Sequence, residues 1–580
     1  MSQGNQIYEN VDIGKSYEVS FDFKLNSVRT DNWSNLLDTT IPGIGANPGG
    51  RCPSIFLAKD SSFLHICTYI DGDRNHCFNT ANLNLGQFYN VRVTQYEYDD
   101  GIFEGVFAGR YLWEVYIDDE KVYSVHNPDP RKFEGASVWL SNWWPSTDGE
   151  IQNFNFNFNK PSTTTPHQIN PNLDQLFIDQ YKTWSCFRDS VTGFYCDGQS
   201  TTAVSSCGWF FSAASTGWGL MIDAVAAETG LISKENAKKR ALETMRSIDT
   251  LWPRDSNGWF NHWTERDGRA VAEYSTIDSA IMISGAYFAA KYFNDPEMTA
   301  LAKSIGTTPN YDLIFDGDNG DRMFMVSNGN GAMSAKTASF NEYYILAYLA
   351  MIHEADGNDR AKRYFEDSFG TTGKPVGRNG YPHTTSYNGH EMMSDGHWKI
   401  TTFTVQFPWF AVKGMHDNPF WSQTVYPSWV AAERDWWVRS DGANVDWAAF
   451  DTAWGVSGTQ GRAFGCGAGD SPAGYFVQSM DGSQYQIFSA ANMAPFMAVD
   501  NKVEEDLNWL YNNNVSYTKS FHDGSTAKVL WRYSAAQPAW RAGWMTSVDY
   551  STMVLGYALK HLPANFYSDY NSAILTGKFV

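Results

Sequence analysis

From Ser16 to Asn159 the chain alternates apolar and polar residues. The segments SYEVSFDFKL, FYNVRVTQYEY, YLWEVYIDD, ASVWLSNWW and IQNFNFNFN carry apolar side chains at every second position, with Asp, Gly and Asn between them. A period of two predicts strands with one face in a core, and a series of such strands predicts an antiparallel β-sandwich over residues 1–158. Lys160-Pro-Ser-Thr-Thr-Thr-Pro166 is short, polar and bounded by proline, so residues 159–172 read as a linker. Beyond it the period becomes helical. STGWGLMIDAVAAETGLI, SKENAKKRALETMRSIDTLW, TIDSAIMISGAYFAAKYF, FNEYYILAYLAMIHEA and DYSTMVLGYALKHL repeat apolar residues at helix spacing, which predicts an all-α domain over residues 173–580. The SKEN start at Ser233 and Ser275-Thr-Ile-Asp278 match capping boxes, the second with Asp in the usual Glu place. Helices joined by long Gly- and Trp-rich loops fit an α/α toroid better than a bundle. Two of these loops, GRNGYPHTTSYNGHEMMSDGHW and AWGVSGTQGRAFGCGAGDSPAGYF, are long enough to be expected to serve function.

Composition narrows the chemistry. The 580 residues are 43% hydrophobic and 16% aromatic, with 23 Trp and 31 Tyr, more flat amphipathic surface than a core alone calls for. A net charge of −21 argues against nucleic acid and anionic membranes, both of which need a basic patch. No apolar run reaches the roughly 18 residues that cross a bilayer. The start, MSQGNQIYENV, has no secretory pattern. A secreted protein whose signal lies outside this sequence is the favoured expectation, with a cytoplasmic one left open. Seven cysteines leave at least one without an internal partner. Cys67 and Cys77 lie symmetrically about Asp71-Gly72, a hairpin signal, and a disulfide or two buried thiols are equally compatible with that spacing. Asp316-Gly-Asp-Asn-Gly-Asp321 has alternating oxygen donors but lacks the distal Glu of a calcium loop, and reads as a polar turn. No His pair, Cys-x-x-Cys or phosphate-binding loop is present, so neither a metal nor a cofactor is expected.

The stretch Gly258–Phe293, GWFNHWTERDGRAVAEYSTIDSAIMISGAYFAAKYF, joins aromatic residues to the acidic segment Glu273-Tyr-Ser-Thr-Ile-Asp278. Aromatic faces beside paired carboxylates are what a sugar-cleaving cleft requires. Six pieces follow in order: Ser215-Thr-Gly-Trp-Gly219, the Glu273–Asp278 segment, Phe340-Asn-Glu342-Tyr-Tyr344, Phe403-Thr-Val-Gln406, Trp454-Gly455 and Ser547-Val-Asp549. Together they resemble the glucoamylase-like (α/α)6-barrel family, which includes endo-β-1,2-glucanases. The resemblance implies an inverting glycoside hydrolase acting on a β-glucan, with Glu342 as general acid and Asp549 as base. It also implies substrate contacts from Glu273, Asp278, Trp218, His262, Gln406 and Trp454, and an oligosaccharide or polysaccharide as partner. The family's Asp-Gln-Gly run reads Asp549-Tyr-Ser here, a looser match. In the N-terminal region, Leu64-His-Ile-Cys67, Ile70-Asp-Gly72 and Tyr116-Ile-Asp118 resemble concanavalin/laminin-G-like sandwiches, whose members often bind carbohydrate. Trp139 and the Trp143-Trp144 pair are candidates for such a patch.

Each assignment has a plain competitor. Ser339-Phe-Asn-Glu342 is itself a capping box, so Glu342 reads equally as a cap. Asp549 reads as an N-cap, Glu273 as a solvated loop acid, and each tryptophan as core. Asp470, in the Gly-rich loop after Trp454, is a rival base. A transglycosylase or phosphorylase on the same barrel, or a non-catalytic glycan-binding protein, would also fit this sequence.

Overall fold

The structure is a computed structural model. It describes residues 5–43, 50–70, 73–97, 111–127, 130–141, 145, 147–159, 168–189, 191–203, 210–316, 322–337, 341–353, 361, 383–394, 401–481, 484–521 and 525–571. The chain forms two compact units, Met1–His167 and Gln168–Val580.

The first unit is antiparallel β throughout its described strands. One sheet has six strands in the order β1 (Asn5–Ile13), β10 (Phe133–Leu140), β3 (Ser34–Thr40), β4 (Ser54–Leu57), β5 (Leu64–Ile70) and β6 (Asp73–Asn79). The other has five, in the order β11 (Gly149–Asn157), β2 (Tyr17–Leu25), β7 (Phe88–Glu97), β8 (Tyr111–Ile117) and β9 (Glu120–Asn127). The alternation decides which face is core. Along β2, Tyr17, Val19, Phe21, Phe23 and Leu25 are buried, and they join Ile55, Ile66, Val91, Val93, Trp113 and Val115 in one cluster. Cys67 and Cys77 are direct cross-strand partners on β5 and β6 with Cα atoms 4.1 Å apart, and they form a disulfide. Cys52 and Cys466 are buried free thiols. Trp139 is half-buried and donates to Thr40, whereas the Trp143-Trp144 pair, most of the predicted linker and Gly317–Asp321 of the polar turn lie outside the described residues.

The second unit is mainly helical. Two kinds of helix alternate in it. α2 (Ala213–Thr229), α4 (Thr276–Phe293), α6 (Tyr344–His353) and α7 (Phe403–Ala411) are buried nearly all round, as is α11 (Ser547–Tyr557). A helix apolar on every side belongs inside a domain. α3 (Lys234–Leu251), α5 (Pro296–Thr307), α8 (Tyr426–Val438) and α10 (Lys502–Asn512) each bury one face. On α3 that face is Ala237, Ala241, Met245 and Ile248, spaced three to four apart. α1 (Gln175–Ser185) and α9 (Trp447–Trp454) complete the longer helices, with α1 packed on α11. Among the inner helices α2 packs on α4, α4 on α6, α6 on α7, and α11 on both α7 and α2.

α2 and α4 touch backbone to backbone. A Cβ on Gly285 would lie 2.0 Å from the Gly217 carbonyl oxygen, and one on Gly217 would lie 2.4 Å from that of Ile281. Only glycine leaves room for this crossing, which sets how closely the starts of the two helices approach.

Strands of two or three residues lead directly into the inner helices. Phe211–Ser212 precedes α2, Tyr274–Ser275 precedes α4, and Trp544–Thr546 precedes α11. Each pairs with a neighbouring segment: Trp263–Thr264, Val326–Ser327 and Gly198–Ser200 respectively. Ser212 and Ser275 then cap their helices by accepting from Ser215 and Asp278 N–H, both at 3.3 Å. The pairings tie each helix start to a segment distant in sequence, so side chains in the first turns are held by the sheet rungs as well as by the helices.

Candidate active site

The acidic side chains that converge in the helical unit come from these helix entries. Asp278 is the third residue of α4, where the Ser275 hydroxyl hydrogen-bonds its carboxylate and its own N–H returns to Ser275. This is half of the capping box the sequence predicts, because the Ser275 N–H goes to the Phe260 carbonyl and not to the Asp278 carboxylate. Asp549 is the third residue of α11, with the Thr546 hydroxyl donating to its Oδ2 at 2.9 Å. It therefore sits inside the first turn rather than at the cap itself. Glu342 lies just ahead of α6, and its carbonyl accepts from Ile345 N–H at 3.1 Å. The Ser339 half of its capping box is outside the described residues. First-turn carboxylates are favoured by the partial positive charge of a helix N-terminus.

Burial and mutual repulsion set their protonation. Burial raises Glu342 to about 7, and the charges of Asp278 and Asp549 push the same way. Burial likewise raises Asp549 to about 6, against the opposing pull of Arg532 and the Thr546 hydroxyl, while Asp197 adds to the rise. Two carboxyls that act on each other thus sit near neutrality, with Glu342 the more readily protonated. That ordering matches an acid and a base in one cleft.

His262 is the cationic counterweight. Its Nδ1 is 2.9 Å from Glu273 Oε1 and its Nε2 3.5 Å from Asp278 Oδ1. Burial alone would lower its pKa, but Asp278, Glu273 and Asp197 together lift it to about 9, so the ring is an imidazolium at neutral pH. Glu273 is correspondingly held low, first by its hydrogen bond to His262. Trp263 stacks on His262 with ring centroids 4.1 Å apart and donates its indole N–H to Asp197 at 3.0 Å. Asp197 in turn uses its carbonyl to accept from the N–H of Ser547 at the head of α11. Glu273, His262, Asp278, Glu342, Asp549 and Asp197 form one continuous cluster.

Three of the residues expected to contact substrate are elsewhere. Trp218 is fully buried on α2 against Phe407, because an inner helix has no solvent face. Gln406 is fully buried too; its amide exchanges hydrogen bonds with Asn492, donating to the backbone carbonyl at 2.6 Å and accepting from the side chain at 3.0 Å. Trp454 ends α9, with the Arg541 guanidinium 3.6 Å over its ring and Phe450, Tyr517 and Tyr533 around it, so that face is not open for sugar. Asp470 is held by accepting from Gly543 and Trp544 N–H at 2.9 and 3.2 Å, which makes it an anchor between two loops.

The Gly-rich loop is more ordered than its composition suggests. It contains a hairpin, Ala468–Ser471 against Gly474–Val477, that packs on the strand Trp544–Thr546. Two exposed aromatics result, Tyr475 at 67% and Trp544 at 42%. Both are flat and solvent-facing, Tyr475 within reach of the charge of Asp549 and Trp544 on the strand that leads into α11, and they are better placed to stack on a sugar than Trp218 or Trp454. Their signal in the sequence is only an aromatic next to a glycine (Gly474-Tyr475, Gly543-Trp544), which this chain repeats many times. Asp197 and Arg532 belong to no motif and emerge only from the structure, whereas Trp263 lies in the aromatic stretch that begins at Gly258.

No protein-family model and no curated protein sequence matches the chain. Solved structures do. An endo-β-1,2-glucanase from Chitinophaga pinensis, in complex with sophorotriose and glucose, superposes with a TM-score of 0.54 at 15% identity, covering 69% of this chain and 95% of that one. A β-1,2-glucanase from Parabacteroides distasonis gives a TM-score of 0.52 at 11% identity over 98% of this chain and 88% of its own. The fold is that of β-1,2-glucanase structures. At such identity the likeness is one of fold, and the reading of function rests on the cluster itself.

A carboxyl kept neutral by the fold costs stability once the solvent is alkaline enough to ionise it elsewhere. Glu342, raised from 4.5 to about 7, binds its proton more tightly folded than unfolded, so its contribution falls as pH rises across that interval and is flat above it. Glu342→Gln is expected to raise the melting temperature at pH 8, by up to about 3 kcal/mol of stability, and to leave it unchanged at pH 4. Thermal unfolding at the two pH values checks this; equal shifts at both would contradict it.

Proposed function

We propose that the protein is a glycoside hydrolase with an (α/α)6 toroid as its catalytic domain, cleaving a β-glucan, most specifically an endo-β-1,2-glucanase acting by inversion. The observation that carries this is the pairing of Asp549, which is buried, with Glu342, which is half-buried, two carboxyls that repel each other at the heads of inner helices, raised to about 6 and about 7. The alternation of buried and half-buried helices supports the toroid. Two glucanase structures with this fold, one holding sophorotriose, support the substrate.

In this reading Glu342 gives its proton to the leaving glycosidic oxygen, and Asp549 takes a proton from the water that attacks the opposite sugar face. Proton transfer through a substrate hydroxyl would serve equally. Glu273 and Asp278, both bound to His262, hold sugar hydroxyls, while Tyr475 and Trp544 stack on ring faces. The N-terminal sandwich keeps polymer near the cleft and raises its local concentration.

Activity requires Glu342 protonated and Asp549 ionised. A bell-shaped kcat/KM profile is expected, its acidic limb near pH 6 from Asp549 and its basic limb near pH 7 from Glu342. Asp549→Asn removes the acidic limb along with most turnover, and a basic limb surviving alone would fit. The function itself is tested with linear β-1,2-glucan, following by NMR the anomer released first. An inverted anomer supports the reading, a retained one excludes Asp549 as base, and turnover only with inorganic phosphate means a phosphorylase.

A further inference from the structure

Arg532 is a guanidinium with few partners in the middle of this unit. It begins the strand Arg532–Ser534, which pairs with Ile487–Ser489, and it is fully buried. Its Nη2 donates to the Phe476 carbonyl at 3.2 Å, while Nε and Nη1 have no hydrogen-bond partner among the described residues. A buried cation left this bare is costly unless nearby charge compensates it.

The packing places that charge. The hairpin Ala468–Val477 lies over Arg532: Phe476 accepts from it, and a Cβ on Gly469 would lie 3.0 Å from Nη1 and 3.1 Å from Cδ. The same hairpin packs on the strand Trp544–Thr546 that leads into α11, where Asp470 accepts from Gly543 and Trp544 N–H and the Thr546 hydroxyl donates to Asp549. Arg532 is therefore held beneath the hairpin that also packs on the strand leading to Asp549.

We infer that Arg532 is a positioning residue whose buried charge keeps Asp549 ionised and so fixes which of the two carboxyls in the cleft carries the proton. This rests on the reading of Asp549 as base. Around Asp549 the groups that face it are Asp197 ahead of Gly198–Ser200, Thr546 on its own helix entry, Glu342 before α6, Tyr475 on the hairpin and Arg532. Asp197 and Glu342 are acidic and disfavour a second anion, and Arg532 is the cation in this set. Asp549 in return is the first of the charges that offset the desolvation of Arg532, with Asp470 a further one. Without the guanidinium, Asp549 would protonate in the same range as Glu342 or above it. The two protonation states that catalysis requires would then no longer coexist.

The test is the pH dependence of Arg532→Met and Arg532→Lys. Methionine fills much of the same volume without charge, and lysine keeps the charge without the fork. On the glucan that the wild type cleaves, Arg532→Met is expected to move the acidic limb of kcat/KM up by roughly 1–3 pH units and to lower the maximum at least tenfold, because the window closes. Arg532→Lys is expected to keep the limb within about half a unit at reduced rate. A structural role alone would lower both variants with the limb unmoved, and that result would overturn the inference. Melting temperature against pH, measured for the wild type and for Arg532→Met, each beside its Asp549→Asn partner, reads the folded pKa of Asp549 without any substrate. It separates this inference from the glucanase reading, and identical crossover in the two pairs would refute it. Should Arg532→Met not fold, Gly469→Ala displaces the guanidinium instead of deleting it, and the same limb and crossover must move.

Discussion

Glu342→Gln is expected to cut glucan hydrolysis by about 10²–10⁴-fold in kcat while leaving KM within a few fold. The amide keeps the shape and the neutral charge of the protonated acid, so binding survives, but it cannot release a proton to the leaving oxygen. The same substitution relieves the burial of a titratable group and should stabilise the protein above pH 7. Loss of activity with a gain in stability is a signature that a merely damaged fold does not give. A capping role predicts otherwise: glutamine serves a capping box as glutamate does, so turnover and melting would both change little. Product assays and thermal unfolding on one preparation distinguish the two.

The largest effect on the fold is expected from Gly285→Ala. The added methyl group meets the Gly217 carbonyl oxygen at 2.0 Å and its Cα at 2.8 Å, and neither is a flexible side-chain end that can swing away. α2 and α4 must separate, opening the inner packing along both. A loss of about 3 kcal/mol or more is expected, at the upper end for overpacking. Because α4 carries Asp278 and continues from Glu273, activity should fall with it. Gly543→Ala is the control, since a Cβ there has no atom within 4 Å. Its melting temperature should match the wild type, and equal melting of Gly285→Ala would contradict the close helix crossing.

The sequence made the elements legible where periodicity was long. α4 spans the predicted 276–293, and β2, β7, β8, β10 and β11 fall on the five alternating segments. The capping pattern at Ser275 correctly placed Asp278 in the first turn. The entry strands were invisible for a physical reason: two or three residues cannot display a period, and their pairing is with segments far along the chain. Residue type did not distinguish a core tryptophan from a ligand-facing one. Trp218 and Trp544 each sit beside a glycine, yet one is buried on an inner helix and the other exposed on an entry strand. Gln406 is polar and still fully interior, because Asn492 satisfies its amide. Arg532 and Asp197 act through position alone, with no neighbouring pattern to mark them.

The most direct test of the whole account is chromatography of linear β-1,2-glucan after incubation with the wild type and with Glu342→Gln, alongside β-1,3-, β-1,4- and α-1,4-glucans. Short oligosaccharides from the β-1,2 polymer alone, absent with the variant, are the predicted result. Equal products from the variant would remove Glu342 from the mechanism, and no products from any glucan would contradict the glucanase reading itself.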